Sequence, residues 1–203
     1  MVRKKARDTR GKMVSAAWRL FYEQGYEDTT VEEIIELSKT SKGSFYHYFE
    51  GKDALLSTLS DLFDEKYRSL MEELERSGMT AMEKLLFLNG ELFGMIENSV
   101  SLDLLSRLLS TQLVTSGEKH LLDHDRMYYR LLRRIISEGQ AVGELSGEYS
   151  VNEMVKLYAL CERALMYDWC LCGGEYSLKK YSMGVLPSFL SGFLPGGKEK
   201  AGP

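Results

Sequence analysis

Residues 41–56 read SKGSFYHYFEGKDALL and gather hydrogen-bond donors on one short segment. Lys42 and Lys52 supply ammonium groups, Ser44, Tyr46 and Tyr48 hydroxyls, and His47 an imidazole. Donors of this kind suit phosphate oxygens and the edges of bases. Gly43 stands among them and lets the backbone come close to a partner. Phe45 and Phe49, spaced i, i+4, share the opposite face and belong in a core. The competing reading is a helical hairpin that carries a surface aromatic cluster.

Short helices must hold this segment. Val14, Ala17, Trp18, Phe21 and Tyr22 recur at helical spacing and predict a helix over residues 9–24. Gly25 is a natural stop, because glycine accepts the left-handed conformation without cost. Thr30 followed by Glu33 is a capping box that opens a second helix. Ser38, Lys39 and Thr40 interrupt the apolar pattern, and Ser41 offers a new N-cap. Gly51 breaks the third helix. A fourth starts at Lys52, with Leu55, Leu56, Leu59, Leu62 and Phe63 as its stripe. Two short helices joined by a tight turn make a helix-turn-helix, whose second member enters the DNA major groove by its N-terminal residues. Lys42, Gly43 and Ser44 occupy that first turn, and Lys52 adds charge where a phosphate would sit.

Residues 10–56 resemble the DNA-binding region of the TetR family of transcriptional regulators, on the stretches AAWRLFYEQGYEDTTVEEI and SKGSFYHYFEGKDALL. The resemblance implies an all-α fold. An N-terminal three-helix helix-turn-helix domain with its basic arm would cover residues 1–51. A C-terminal helical-bundle ligand-binding and dimerisation domain would cover residues 52–203. Thr30, Lys39, Ser41, Lys42, Gly43, Ser44, Tyr46, His47, Tyr48 and Lys52 would be its DNA contacts. It further implies a homodimer on a palindromic double-stranded DNA operator, repression as the usual outcome, and release by a small-molecule effector. One departure stands out. The family's turn usually reads Ala-Gly-Val, and here it reads Ser38-Lys39-Thr40. Lys39 therefore falls where a left-handed residue is needed, at about 1 kcal/mol of strain, and brings one more cation.

Composition is that of a globular protein, with 44% hydrophobic and 28% charged residues. No apolar run is long enough to span a membrane, and no signal peptide or disulfide framework is evident, so a cytoplasmic protein is expected. Net charge is −4, but residues 1–12 carry Arg3, Lys4, Lys5, Arg7, Arg10 and Lys12 against Asp8 alone. A basic arm on an acidic body is compatible with phosphate at one end, and a solubilising tail reads the same way. No glycine-rich phosphate loop, Cys-x-x-Cys pair or nucleophile elbow occurs, so no enzyme and no cofactor are expected.

Helical periodicity predicts further helices near 52–77, 79–97, 101–116, 119–140, 150–173 and 178–193. Several polar residues fall on their apolar faces: Gln112, His120, His124, Glu162 and Asp168. Buried polar groups need partners, which would be other side chains, a ligand or a second copy. An aromatic-rich bundle that includes Phe87, Phe93, Met95, Tyr128, Tyr129 and Trp169 suits a lipophilic effector and would equally fill a solid core. Phe87, Phe93, Gln112, His124, Tyr128, Cys161, Asp168 and Trp169 are the candidate ligand residues. The 150–173 helix is apolar around most of its circumference, so it should touch more than its own domain. Met154, Leu157, Cys161, Leu165, Trp169 and the apolar residues of 182–193 would supply a dimer face. Two rival readings stay open. One is a metal-sensing regulator that uses His120 and His124 at i, i+4. The other is a helical interaction protein that does not bind DNA.

Overall fold

The computed structural model describes residues 2–114 and 119–196, with side chains from residue 9 onward. The described residues are helical and contain no strand. Ten α-helices follow in order: α1 Val2–Gln24, α2 Val31–Ser38, α3 Lys42–Tyr48, α4 Lys52–Leu56, α5 Thr58–Arg76, α6 Ala81–Ser99, α7 Leu102–Val114, α8 Met127–Ala141, α9 Val151–Leu171 and α10 Leu178–Leu190. Short 3-10 turns lie at His120–Leu122 and Ser191–Phe193. The all-α expectation holds. The side chains of residues 1–8, which include most of the basic arm, lie outside the described residues.

The chain divides into two compact units: residues 1–62 with 101–121, and residues 63–100 with 122–203. The helix-turn-helix unit thus runs past residue 51 and takes in α7, which packs on α4. Its core holds Phe21, Tyr26, Ile34, Phe45, Phe49, Leu55 and Leu56, all nearly sealed from solvent. α1 lies against α2 and α3. In the other unit α6 packs on α8 and α10, and α9 packs on the same two helices. Gly139 of α8 marks one close approach, since a Cβ there would come 2.5 Å from Ala81 Cβ.

Two expected helices differ from those found. The helix expected over 52–77 is interrupted between Leu56 and Thr58. There the hydroxyls of Ser57 and Thr58 donate back to the carbonyls of Ala54 and Leu55 at 2.7 and 2.6 Å. Side-chain bonds of this kind compete with the helical ladder and favour a break. The helix expected over 119–140 begins only at Met127. Asp64 sets that start. Its carboxylate accepts the Met127 N–H at 3.2 Å and pairs with Arg126 at 2.8 Å, which places an anion at the positive end of the helix.

Candidate functional site

α3 is held as the sequence predicts. The Ser41 side chain accepts the Ser44 N–H at 3.1 Å and closes the first turn. Its hydroxyl also pairs with the Ser44 hydroxyl at 2.9 Å. Phe45 and Phe49 turn inward with ring centroids 5.6 Å apart. That packing leaves Lys42, Gly43, Tyr46 and His47 exposed, with Ser44 and Tyr48 half-buried. The space around Gly43 is open. Its small size therefore presents bare backbone to a partner. Lys42 is held by Glu32 at 3.1 Å, and that pairing raises its pKa. Both groups are exposed, so the pair is easily exchanged for a phosphate oxygen.

α2 and the turn before α3 complete the motif. The Thr30–Glu33 capping box is present, with the Thr30 hydroxyl and amide both donating to Glu33 Oε2 at 2.8 Å. Lys39 adopts φ 54° and ψ 43°, the single positive φ among the described non-glycine residues. The amides of Lys39 and Thr40 close the end of α2 on the carbonyls of Glu36 and Ile35. Hydroxyls of Ser38 and Thr40 meet at 2.7 Å across the turn. The side chain of Lys39 stays exposed.

Lys52 is the exception among the predicted contacts. Its ammonium donates to the carbonyls of Tyr26, Glu27 and Thr29 at 2.7, 3.0 and 3.0 Å, and it lies 4.5 Å from the Tyr26 ring centroid. All three of its donors are engaged by the loop before α2, so it ties that loop down and offers no N–H to a phosphate. Arg107 of α7 reaches the same loop. Its guanidinium carbon lies 4.8 Å from the Tyr26 centroid and it pairs with Glu27 at 2.7 Å and with Asp103 at 2.9 Å. The Tyr26 hydroxyl donates to Asp53, and burial together with that carboxylate drives its pKa up. Helical periodicity carries no sign of carbonyls as the partners of a lysine.

The eight candidate ligand residues are not drawn together. Gln112 belongs to the first unit, where its side-chain oxygen accepts the Leu121 N–H at 3.2 Å. With His120 it lines a cleft of about 590 Å³ that also includes Glu50, Asp53 and Thr111. His124 is exposed and precedes α8, with its ring 4.6 Å from that of Tyr129. The helical i, i+4 relation that a His120–His124 chelate needs does not exist, because the helix starts later. Asp168 is exposed rather than apolar-facing and accepts the Tyr176 hydroxyl at 2.8 Å. Trp169 is buried and donates to the Tyr176 carbonyl at 2.8 Å. Phe87 is half-buried, while Phe93 and Cys161 are buried. Burial pushes the Cys161 thiol up to about 11.

Tyr128 leads to a buried polar cluster whose other members were not among the candidate ligand residues. Its hydroxyl donates to Glu162 Oε2 at 2.6 Å, and Asn89 Nδ2 donates to Glu162 Oε1 at 2.9 Å. Tyr158 donates to the Leu85 carbonyl at 2.8 Å beside them, and Tyr67 stacks on Tyr128 with centroids 5.3 Å apart. Glu162 is 2% exposed and Asn89 fully buried. Burial raises the Glu162 carboxyl, against the opposing pull of its hydroxyl and amide donors. Two atoms in this cluster, Tyr67 Oη and Asn89 Oδ1, are buried without a hydrogen-bond partner. The place of Glu162 on an apolar helix face was the available signal in the sequence. Asn89, 73 residues away, gave none.

The helices expected to pair two copies also differ in their facing. Met154, Cys161, Leu165 and Trp169 are buried within their own unit. The exposed side of α9 instead carries Leu160, Ala164, Tyr167 and Leu171, at spacings of four, three and four residues, a continuous apolar stripe. On α10, Tyr181, Met183 and Phe189 are exposed.

Residues 13–59 match the sequence model described as bacterial regulatory proteins, tetR family. The chain is 26% identical to the HTH-type transcriptional regulator TtgR of Pseudomonas putida over 75% of its own length and 77% of that protein. It is 24% identical to the fatty acid metabolism regulator protein of Bacillus subtilis, over 89% of its length and 93% of that protein. In fold it is similar to the crystal structure of Thermus thermophilus FadR, a TetR-family repressor in complex with lauroyl-CoA, with a TM-score of 0.71. There identity is 23%, covering 92% of this chain and 95% of the other.

Proposed function

We propose that this chain is a TetR-family transcriptional regulator and that it acts as a cytoplasmic, homodimeric repressor of a near-palindromic operator, released by a small molecule bound in the larger unit. The observation that carries the reading is the facing of α3. Phe45 and Phe49 fix its inner side, and Lys42, Gly43, Tyr46 and His47 are thereby turned outward together. An exposed short helix with a cation, bare backbone, a phenol and an imidazole on one side is suited to a major groove and its flanking phosphates. Ser41, Ser44, Tyr48, Thr30 and Lys39 support that surface. Lys52 supports it from behind, by fixing the loop that precedes α2.

A dimer presents two copies of α3, which is why the operator should have two half-sites. The stripe of Leu160, Ala164, Tyr167 and Leu171, with Tyr181, Met183 and Phe189, is the surface we assign to the second copy. A single chain leaves this apolar area in water, and a matching copy would remove it at about 25 cal/mol per Å². A ligand that favours the non-binding arrangement a hundredfold contributes about 2.7 kcal/mol toward release. Among the described residues no helix is long and apolar enough to cross a membrane.

Fluorescence anisotropy against the DNA that flanks the coding region, at two salt concentrations, tests the reading. Nanomolar, sequence-dependent binding that weakens steeply with salt is expected. The combined variant Lys42→Ala, Tyr46→Ala, His47→Ala should lose it while keeping its helical circular dichroism. Unchanged binding by that folded variant would remove α3 from the interface.

A further inference from the structure

We propose that the buried cluster around Glu162 recognises an organic cation, a protonated amine carried on an apolar body. This deepens the reading that the larger unit takes a small-molecule effector, and it names the class. Glu162 accepts from Asn89 Nδ2 and from the Tyr128 hydroxyl. When Glu162 is ionised it accepts only, so the amide of Asn89 then presents its NH2 to Glu162 and its oxygen elsewhere. That oxygen has no partner, and neither has the hydroxyl of Tyr67. Both belong to side chains no more than 1% exposed. Asn89 Oδ1 therefore needs a donor, and the Tyr67 hydroxyl is free to accept one as well as to donate its own proton.

Charge points the same way. Among the described residues no cation forms an ion pair with Glu162. Arg163, its neighbour in sequence, reaches the Tyr129 hydroxyl at 3.4 Å, and Arg126 is engaged by Asp64 at 2.8 Å. An ammonium would supply N–H donors to Asn89 Oδ1 and the carboxylate, and it would offset the buried charge. The electron-rich rings of Tyr67 and Tyr128, buried beside Glu162, would add to the attraction for a cation. A carboxylate or an acyl thioester brings acceptors to acceptors and is disfavoured here. In this respect the chain parts from the lauroyl-CoA-bound neighbour of similar fold.

Calorimetry on the full-length protein with decylammonium, decanol, decanoate and lauroyl-CoA tests the assignment, with operator release followed in parallel by anisotropy. Decylammonium should bind about tenfold or more tighter than decanol, and decanoate and lauroyl-CoA more weakly than either. Glu162→Gln should weaken decylammonium about thirtyfold and leave decanol nearly unchanged. Tyr67→Phe deletes a hydroxyl that has no partner, so its melting temperature should hold or rise while decylammonium affinity falls severalfold. That variant decides the matter should Glu162→Gln fail to fold. Equal binding of decanol and decylammonium, tighter binding of decanoate or lauroyl-CoA, or variants with wild-type affinity would each overturn the assignment. Operator release by lauroyl-CoA alone would overturn it and keep the regulator. Glu162-dependent decylammonium binding without any operator binding would keep the cation site and remove the regulator.

Discussion

Lys39 and Lys52 are both lysines near the recognition helix, and they do different work. Lys39 occupies a left-handed backbone at φ 54° with an exposed side chain. Lys52 donates to three carbonyls of one loop. Lys52→Met should lower stability by about 2 kcal/mol in urea denaturation, since partly buried carbonyls lose their donor. The salt slope of operator binding should stay unchanged for this variant, because no phosphate contact is removed. Lys39→Gly should hold or raise stability by up to about 1 kcal/mol through relief of backbone strain, and if Lys39 meets a phosphate the salt slope should fall by about one. Glu162 gives the pH prediction. Its carboxyl is raised above 4.5 by burial, so the folded state holds that proton more tightly than the unfolded chain. The stabilisation from its protonation is full below the unfolded pKa and is lost as pH rises through the folded one. Wild type should therefore gain on Glu162→Gln between pH 8 and pH 5 in thermal melts, and parallel curves would contradict the raised value.

Helix starts here are fixed in two ways, and α6 and α10 use both. Local caps account for α2, α3, α6, α9 and α10, each with a Ser or Thr oxygen on its N3 amide. Distant carboxylates cap three helices. Asp64 accepts from Met127 at the start of α8, Glu97 from Leu178 and Lys179 at the start of α10, and Glu144 from Ala81 at the start of α6. These bonds also stitch helix to helix inside the larger unit, so the caps contribute to tertiary structure. α8 has no side-chain cap of its own and depends on Asp64 alone in this respect. Asp64→Asn should cost about 2 kcal/mol or more, because it also removes the carboxylate charge that faces the nearly buried Arg126. Hydrogen exchange should show the amides of α8 most affected.

Association belongs to the whole molecule. Leu160 and Leu171 are 51% and 70% exposed in a single chain, on one stripe of α9. The double variant Leu160→Arg, Leu171→Arg should be monomeric by light scattering, with a melting temperature lowered only by the lost association. Its operator affinity should drop by orders of magnitude, because two linked half-sites become independent. A dimer that survives these charges would place the interface elsewhere.

The helix-turn-helix was legible along the chain because its determinants are local. A Thr30–Glu33 box, a Ser41 cap, Gly25 and Gly51 as breaks, and Phe45 and Phe49 at i, i+4 are all settled by groups within four residues of one another. The left-handed turn at Lys39 was expected from the family resemblance and not from a local rule. What the larger unit buries was not legible to the same depth. Periodicity marked Glu162 as a polar residue on an apolar face, but it misassigned Asp168 and His124, because a helical wheel knows the direction of a side chain and nothing of the neighbour it meets. Tertiary packing decided that Glu162 meets Asn89 and Tyr128, that Asp64 starts α8, and that Leu160 and Tyr167 rather than Cys161 and Leu165 face outward. Hydrogen bonds between residues 34 to 73 positions apart exist only once helices are packed, so no local rule could have supplied them.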